Sequence, residues 1–182
     1  MENCRIALLT AFTAAAVIFD LRTDKIPNRL LLAGTAAGFL AGALHAAAGP
    51  NAGISDGMAW KAWMLMVSGA LLPLLFPGIL YVFGLLGAGD VKLFCMMGVY
   101  LGAKEGWQLI KGAFLLGGIY AAVLLLIRKN ARARFTYLVH YFRQPPAQRD
   151  PGGYLRGTPA SGRMHFSVPV FLSLLLWAAG KL

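Results

Sequence analysis

Three carboxylates in this chain stand where a carboxylate is costly. Of its seven acidic residues, Asp20 closes the first apolar run, Asp24 follows one turn later, and Asp90 stands between Gly87-Ala88-Gly89 and another apolar run. Glu2, Asp56, Glu105 and Asp150 lie elsewhere, in loops or at the terminus. Ionisable side chains at membrane depth are expensive and usually mark function. Two carboxylates a few ångströms apart in a partly dry site cannot both ionise easily. One stays protonated and can donate to a scissile carbonyl, while the other takes a proton from an attacking water. Such a pair suits peptide hydrolysis and needs no covalent intermediate, cofactor or metal.

Each acid also has a plainer reading. Asp90 fits a helix N-cap, a common role for Asp before an apolar run. Gly87 and Gly89 add something that capping does not require, since they let a backbone pass close to a neighbour. Asp20 fits an interfacial residue paired with Arg22 or Lys25, although the helix dipole disfavours a negative charge at that end. Asp24 can cap the helix that starts near Ile26-Pro27-Asn28, and shares a face with Asp20 if the first helix continues. Other chemistries find less support. None of Ser55, Ser68, Ser161, Ser167 and Ser173 stands in a nucleophile-elbow pattern. His45, His140 and His165 are scattered; His165, at the start of the last apolar run, reads as an interfacial structural residue, and His45 falls at the far membrane face. Cys4 and Cys95 form no metal-ligand spacing.

The elements that must position these acids are membrane helices. The chain has 182 residues, 58% hydrophobic and 13% charged, with a mean hydropathy of +0.65. A soluble domain would be about 45–50% apolar and about a quarter charged. The apolar residues fall in six runs: Ile6 to Phe19, about Pro27 to Ala48, about Met58 to Leu86, Val91 to Ala103, about Trp107 to Ile127, and about Phe166 to Gly180. Pro27 is tolerated in a first turn. Pro73 and Pro77 predict that the third run kinks or unwinds toward its end. The fourth run is short for a hydrocarbon core of about 30 Å, which predicts a hydrated recess around Asp90. The reading is an all-α, polytopic helical bundle of about six transmembrane helices. It forms a single integral-membrane domain over 1–182, with a basic cytoplasmic loop at about 128–164.

Charge sets the orientation. The first run has Glu2 before it and Arg22, Lys25 and Arg29 after it, the reverse of a secretory signal peptide. An uncleaved first helix with its N-terminus outside is expected. The inside segments then hold Arg22, Lys25, Arg29, Lys92, Arg128, Lys129, Arg132, Arg134, Arg143, Arg149, Arg156 and Arg163, twelve of the 17 basic residues. The outside parts hold Arg5, Lys61, Lys104, Lys111 and Lys181. The positive-inside rule thus predicts N-out, C-out. Asp20, Asp24 and Asp90 fall together at the cytoplasmic face. The net charge of +10 sits in loops, so anionic lipid headgroups are the expected partner. No basic stripe interleaved with stacking aromatics points to nucleic acid.

The strings Asp20-Leu21-Arg22-Thr23-Asp24-Lys25-Ile26-Pro27-Asn28 and Gly87-Ala88-Gly89-Asp90-Val91-Lys92-Leu93 resemble the type IV prepilin peptidases, membrane aspartic proteases with a Gly-x-Gly-Asp motif. The resemblance runs from the first run through the fourth, and more loosely to Phe166-Ser167-Val168-Pro169. It implies that Asp20 and Asp90 are catalytic, with Gly87, Gly89, Asp24, Pro27, Asn28 and Lys92 as supporting motif residues. It implies no cofactor and no metal. The longer members carry paired Cys-x-x-Cys motifs and also N-methylate the cleaved pilin. This chain lacks those cysteines and resembles the short, peptidase-only branch of the tight-adherence (Flp-type) pili. The implied substrate is a prepilin or pseudopilin, cut after a glycine that ends a short basic leader. The implied setting is the bacterial inner membrane, with pilus assembly machinery as a further partner.

The segment from Arg128 to Met164 mixes arginines with Phe135, Tyr137, Tyr141 and Phe142. It reads as an amphipathic interfacial piece over Arg132–Phe142 followed by a loop. It serves either to set topology or as a substrate lid or partner dock. Two other functions share the membrane carboxylates: a proton-coupled transporter, and a non-catalytic component of a pilus or secretion assembly. Transport predicts internal repeats with matched broken helices, and one Gly/Pro interruption is evident. A decayed site predicts a missing aspartate, and both are present.

Overall fold

The computed structural model describes residues 2–48, 56–128 and 165–180, with Thr136, Val139, His140 and Arg143 as isolated positions. The amphipathic piece expected at Arg132–Phe142 lies outside the described residues apart from those positions. So does most of the basic loop around it. The elements are α1 (Glu2–Thr23), α2 (Asn28–Ala48), α3 (Asp56–Val82), α4 (Ala88–Arg128) and α5 (Ser167–Ala178). No strand occurs among the described residues. Among the described residues three stretches, Asn3–Thr23, Trp60–Val82 and Ala88–Leu124, are long and apolar enough to cross a membrane.

Where helices end follows from single residues. Pro73 and Pro77 both lie inside α3, which continues to Val82. The expected unwinding therefore comes after the prolines, in Phe83–Gly87. Residues 91–127, expected as two runs parted around Lys104–Gly106, form one helical stretch with a single break at Gly102 (φ 77°, ψ 179°). That backbone geometry belongs almost entirely to glycine, so the break falls there and the charged residues stay helical. The break folds α4 back on itself. Phe94 on one arm stacks on Phe114 on the other, ring centroids 6.2 Å apart, although a straight helix would hold them about 30 Å apart. The first arm, Ala88 to Leu101, spans only about 20 Å at 1.5 Å per residue.

Lipid tails are as apolar as leucine, so close packing rather than burial from water holds such helices together. Gly69 of α3 and Gly98 of α4 meet backbone to backbone, and a Cβ on either would collide with the other's carbonyl. The core inside the α4 hairpin comprises Leu93, Phe94, Met96, Met97, Leu109 and Ile110, closed by Leu9 and Ala16 of α1 and Val170 and Leu174 of α5. Leu32, Val82, Leu115 and Ile127 are each at least 67% exposed, a surface suited to lipid.

At the Gly102 end of the bundle, Arg5 Nη2 donates to the Tyr100 carbonyl at 2.8 Å. That carbonyl lies two residues before the break at Gly102. Tyr100 Oη donates to the Gly34 carbonyl at 2.8 Å, and Trp177 Nε1 donates to Glu105 Oε2 at 2.7 Å. These bonds tie α1, α2 and α5 to the hairpin. The opposite end, where α1 and α3 finish and α2, α4 and α5 begin, holds the acids.

Candidate active site

Asp20 stands in the last turn of α1 with its side chain 15% exposed. Its contacts come from the far end of the sequence. Ser167 Oγ, fully buried in the first turn of α5, donates to Asp20 Oδ2 at 2.6 Å. His165 Nδ1 lies 3.4 Å from the same oxygen. Among the described residues neither Arg22 nor Lys25 pairs with Asp20, so the plainer reading of an interfacial ion pair with them is replaced by contacts to α5.

Asp24 ends α1 and does not cap α2. Its backbone is left-handed (φ 53°) and its N–H donates to the Asp20 carbonyl at 2.9 Å, a helix C-terminal motif that Asp tolerates better than most side chains. The cap position of α2 falls to Pro27, whose carbonyl accepts from Leu30 N at 3.1 Å and Leu31 N at 3.4 Å. Pro27 thus precedes the first turn by one residue. The reversal at Asp24 still leaves its carboxylate beside Asp20, because His165 Nε2 lies 3.8 Å from Asp24 Oδ1. One imidazole spans both acids. Asp24, with 61% of its side chain exposed, is open to water.

Asp90 is the third residue of α4, half-buried, so it is not the N-cap. Its N–H donates to the Gly87 carbonyl at 3.1 Å, and the Gly87 backbone faces its carboxyl in return, the acidic half of a capping box. The helix-terminal reading of Asp90 is correct in that limited sense. Gly87 leaves the carboxyl its space: a Cβ there would stand 3.0 Å from Asp90 Oδ2. Gly89 faces Ile26, 3.5 Å from where its Cβ would be, and so lets α4 start against the α1–α2 turn. Lys92 Nζ closes the same junction by donating to Asn28 Oδ1 at 2.9 Å. Asp20 lies near enough to act electrostatically on Asp90.

The structure therefore brings Asp20, Asp24, Asp90, Asn28 and Lys92 to one end of the bundle. It adds Ser167 and His165, which the sequence reading set aside as a non-nucleophilic serine and a structural histidine. The signal for Ser167 was its place in Phe166-Ser167-Val168-Pro169; its partner lies 147 residues away. Phe166 fixes that place. Its ring packs on Phe114 at 5.2 Å and Phe94 at 6.2 Å between centroids, wedged into the space left by Gly117.

A cavity of about 650 Å³ opens between the end of α3 and the start of α4, reaching Ala88, Val91 and Lys92 in the first turn of α4. Leu74, Ile79, Val82, Phe83 and Val91 wall it, and Lys92 stands at its edge. No group of His, Cys, Asp and Glu among the described residues is arranged to hold a metal ion. Two carboxylates from α1 and α4 and an apolar trough thus lie at one end of the bundle.

No curated protein and no solved structure matches the chain. The family model for the type IV leader peptidase family matches residues 7–125, a stretch that includes Asp20, Asp24 and Asp90. The chain belongs to the type IV leader peptidase family.

Proposed function

We propose that this protease is an aspartic endopeptidase of the bacterial inner membrane, with six spans, that removes the short basic leader from type IV or Flp-type prepilins and pseudopilins. The observation that carries this reading is that Asp20 and Asp90, on separate helices, lie at the same end of the bundle, near enough for one charge to act on the other; the positive-inside rule supports a cytoplasmic setting for that end. One carboxyl protonates the scissile carbonyl oxygen while the other removes a proton from the attacking water. The carboxyl that donated becomes the base, and the one that accepted returns its proton to the leaving amine. The acids complement a basic leader, and the apolar cavity between α3 and the first turn of α4 suits the hydrophobic segment that follows the cut. Cys4 and Cys95 form no paired Cys-x-x-Cys motif, which supports the peptidase-only reading of this sequence.

The test is cleavage of a co-expressed Flp-type prepilin, read by gel shift and by the mass of the new N-terminus. Cutting after the leader glycine is the expected result. An intact prepilin beside membrane-inserted protein contradicts the substrate assignment.

A further inference from the structure

We propose that Ser167 is a positioning residue for the peptidase, and that docking of α5 onto α1 through it orients Asp20 for the reaction. The inference rests on the aspartate-pair reading above. A carboxylate at a helix end can rotate about two side-chain torsions, and general acid–base chemistry requires one of its oxygens to face the water within hydrogen-bond reach. Ser167 removes that freedom. Its hydroxyl binds Oδ2 at 2.6 Å, the short distance of a charge-assisted O–H···O bond. Oδ2 also faces His165. Two groups on one oxygen leave Oδ1 as the oxygen to which no described residue is bonded.

The geometry around Ser167 is built for this contact. The serine is fully buried, and a buried hydroxyl without a partner would be costly. Ser173, one face further along α5, spends its hydroxyl on the Leu109 carbonyl at 2.9 Å, an ordinary structural bond. Ser167 instead reaches a carboxylate on another helix. Phe166 sets its height by locking into the Phe94–Phe114 stack. Those rings lie on the two arms of α4, and the first arm carries Asp90 in its first turn. The same aromatic cluster thus registers α5, which holds Asp20, against the arm that carries Asp90.

The experiment compares wild type, Ser167→Ala, Ser167→Thr, Asp20→Asn and Asp90→Asn in liposomes with a purified prepilin, measuring kcat and KM. Ser167→Ala is expected to lower kcat by about 10- to 100-fold, the range for a misplaced catalytic group, with KM unchanged. Ser167→Thr keeps the donor and should stay within about threefold of wild type on the same scale. A second measurement does not depend on turnover. The carboxylate stretch of Asp20, identified by its loss in Asp20→Asn infrared difference spectra, should shift in Ser167→Ala. Wild-type kcat in Ser167→Ala, or an unshifted Asp20 band, overturns the positioning role while the aspartate pair stands. Full activity in Asp20→Asn or Asp90→Asn overturns the pair itself.

Discussion

Asp20 and Asp24 are one turn apart and share one imidazole, yet their surroundings separate them. Asp20 is mostly enclosed and bonded to a buried serine, whereas Asp24 is open to water on a left-handed residue. Removing an acid–base group costs about 10²–10⁴ in rate, and that is the loss expected for Asp20→Asn. Asp24→Asn removes an exposed charge contact worth at most about 1 kcal/mol, so cleavage should fall about fivefold or less. Equal loss in the two variants, measured on the same prepilin, contradicts the choice of Asp20. The acids were legible in the sequence because an unpaired carboxylate beside an apolar run calls for an explanation. Ser167 and His165 were not. A serine and a histidine at the start of an apolar run look like ordinary interfacial residues until tertiary packing brings α5 onto α1.

At the scale of elements, the geometry depends on the reversal at Gly102. Its φ of 77° with ψ of 179° costs a residue with a Cβ about 1–3 kcal/mol. Gly102→Ala should therefore lower the thermal unfolding midpoint in detergent, and cleavage should fall with it as the Phe94–Phe114 register loosens. An unchanged midpoint with full activity would show that the break is not needed. The helical fold was legible from hydropathy, and among the described residues α4 takes up two of the expected runs. The position of the reversal was not legible. Lys104 and Glu105 suggested a loop, but two charges at a helix turn do not bend a backbone, whereas a glycine that can adopt positive φ does. The third run does unwind toward its end, but after Val82 rather than at Pro73 or Pro77, which the helix tolerates.

At the scale of the whole molecule, the helix ends that carry the acids are also the ends flanked by most of the basic residues. This puts the site on the cytoplasmic face if positive charge stays inside. In a Cys4→Ser, Cys95→Ala background, Lys104→Cys should react with a membrane-impermeant thiol reagent added to intact spheroplasts. Lys25→Cys should react only after the membrane is opened. The opposite pattern would place the acids outside and remove the match to a cytoplasmic leader. The sequence predicts an orientation because lysine and arginine counts are a property of loops, independent of packing, and the labelling tests it. The meeting of α1, α4 and α5 could not be read from the sequence, since it depends on ring contacts and glycine gaps far apart in the chain.

The central claim is that Asp20 and Asp90 act as one unit on one water. A double-substitution cycle tests it most directly: prepilin cleavage by Asp20→Asn, Asp90→Asn and the combined variant, each reconstituted at equal membrane density. Groups that act together are strongly non-additive, so the combined variant should be no slower than either single one. Losses that multiply, or a single variant that keeps its activity, would contradict the pair.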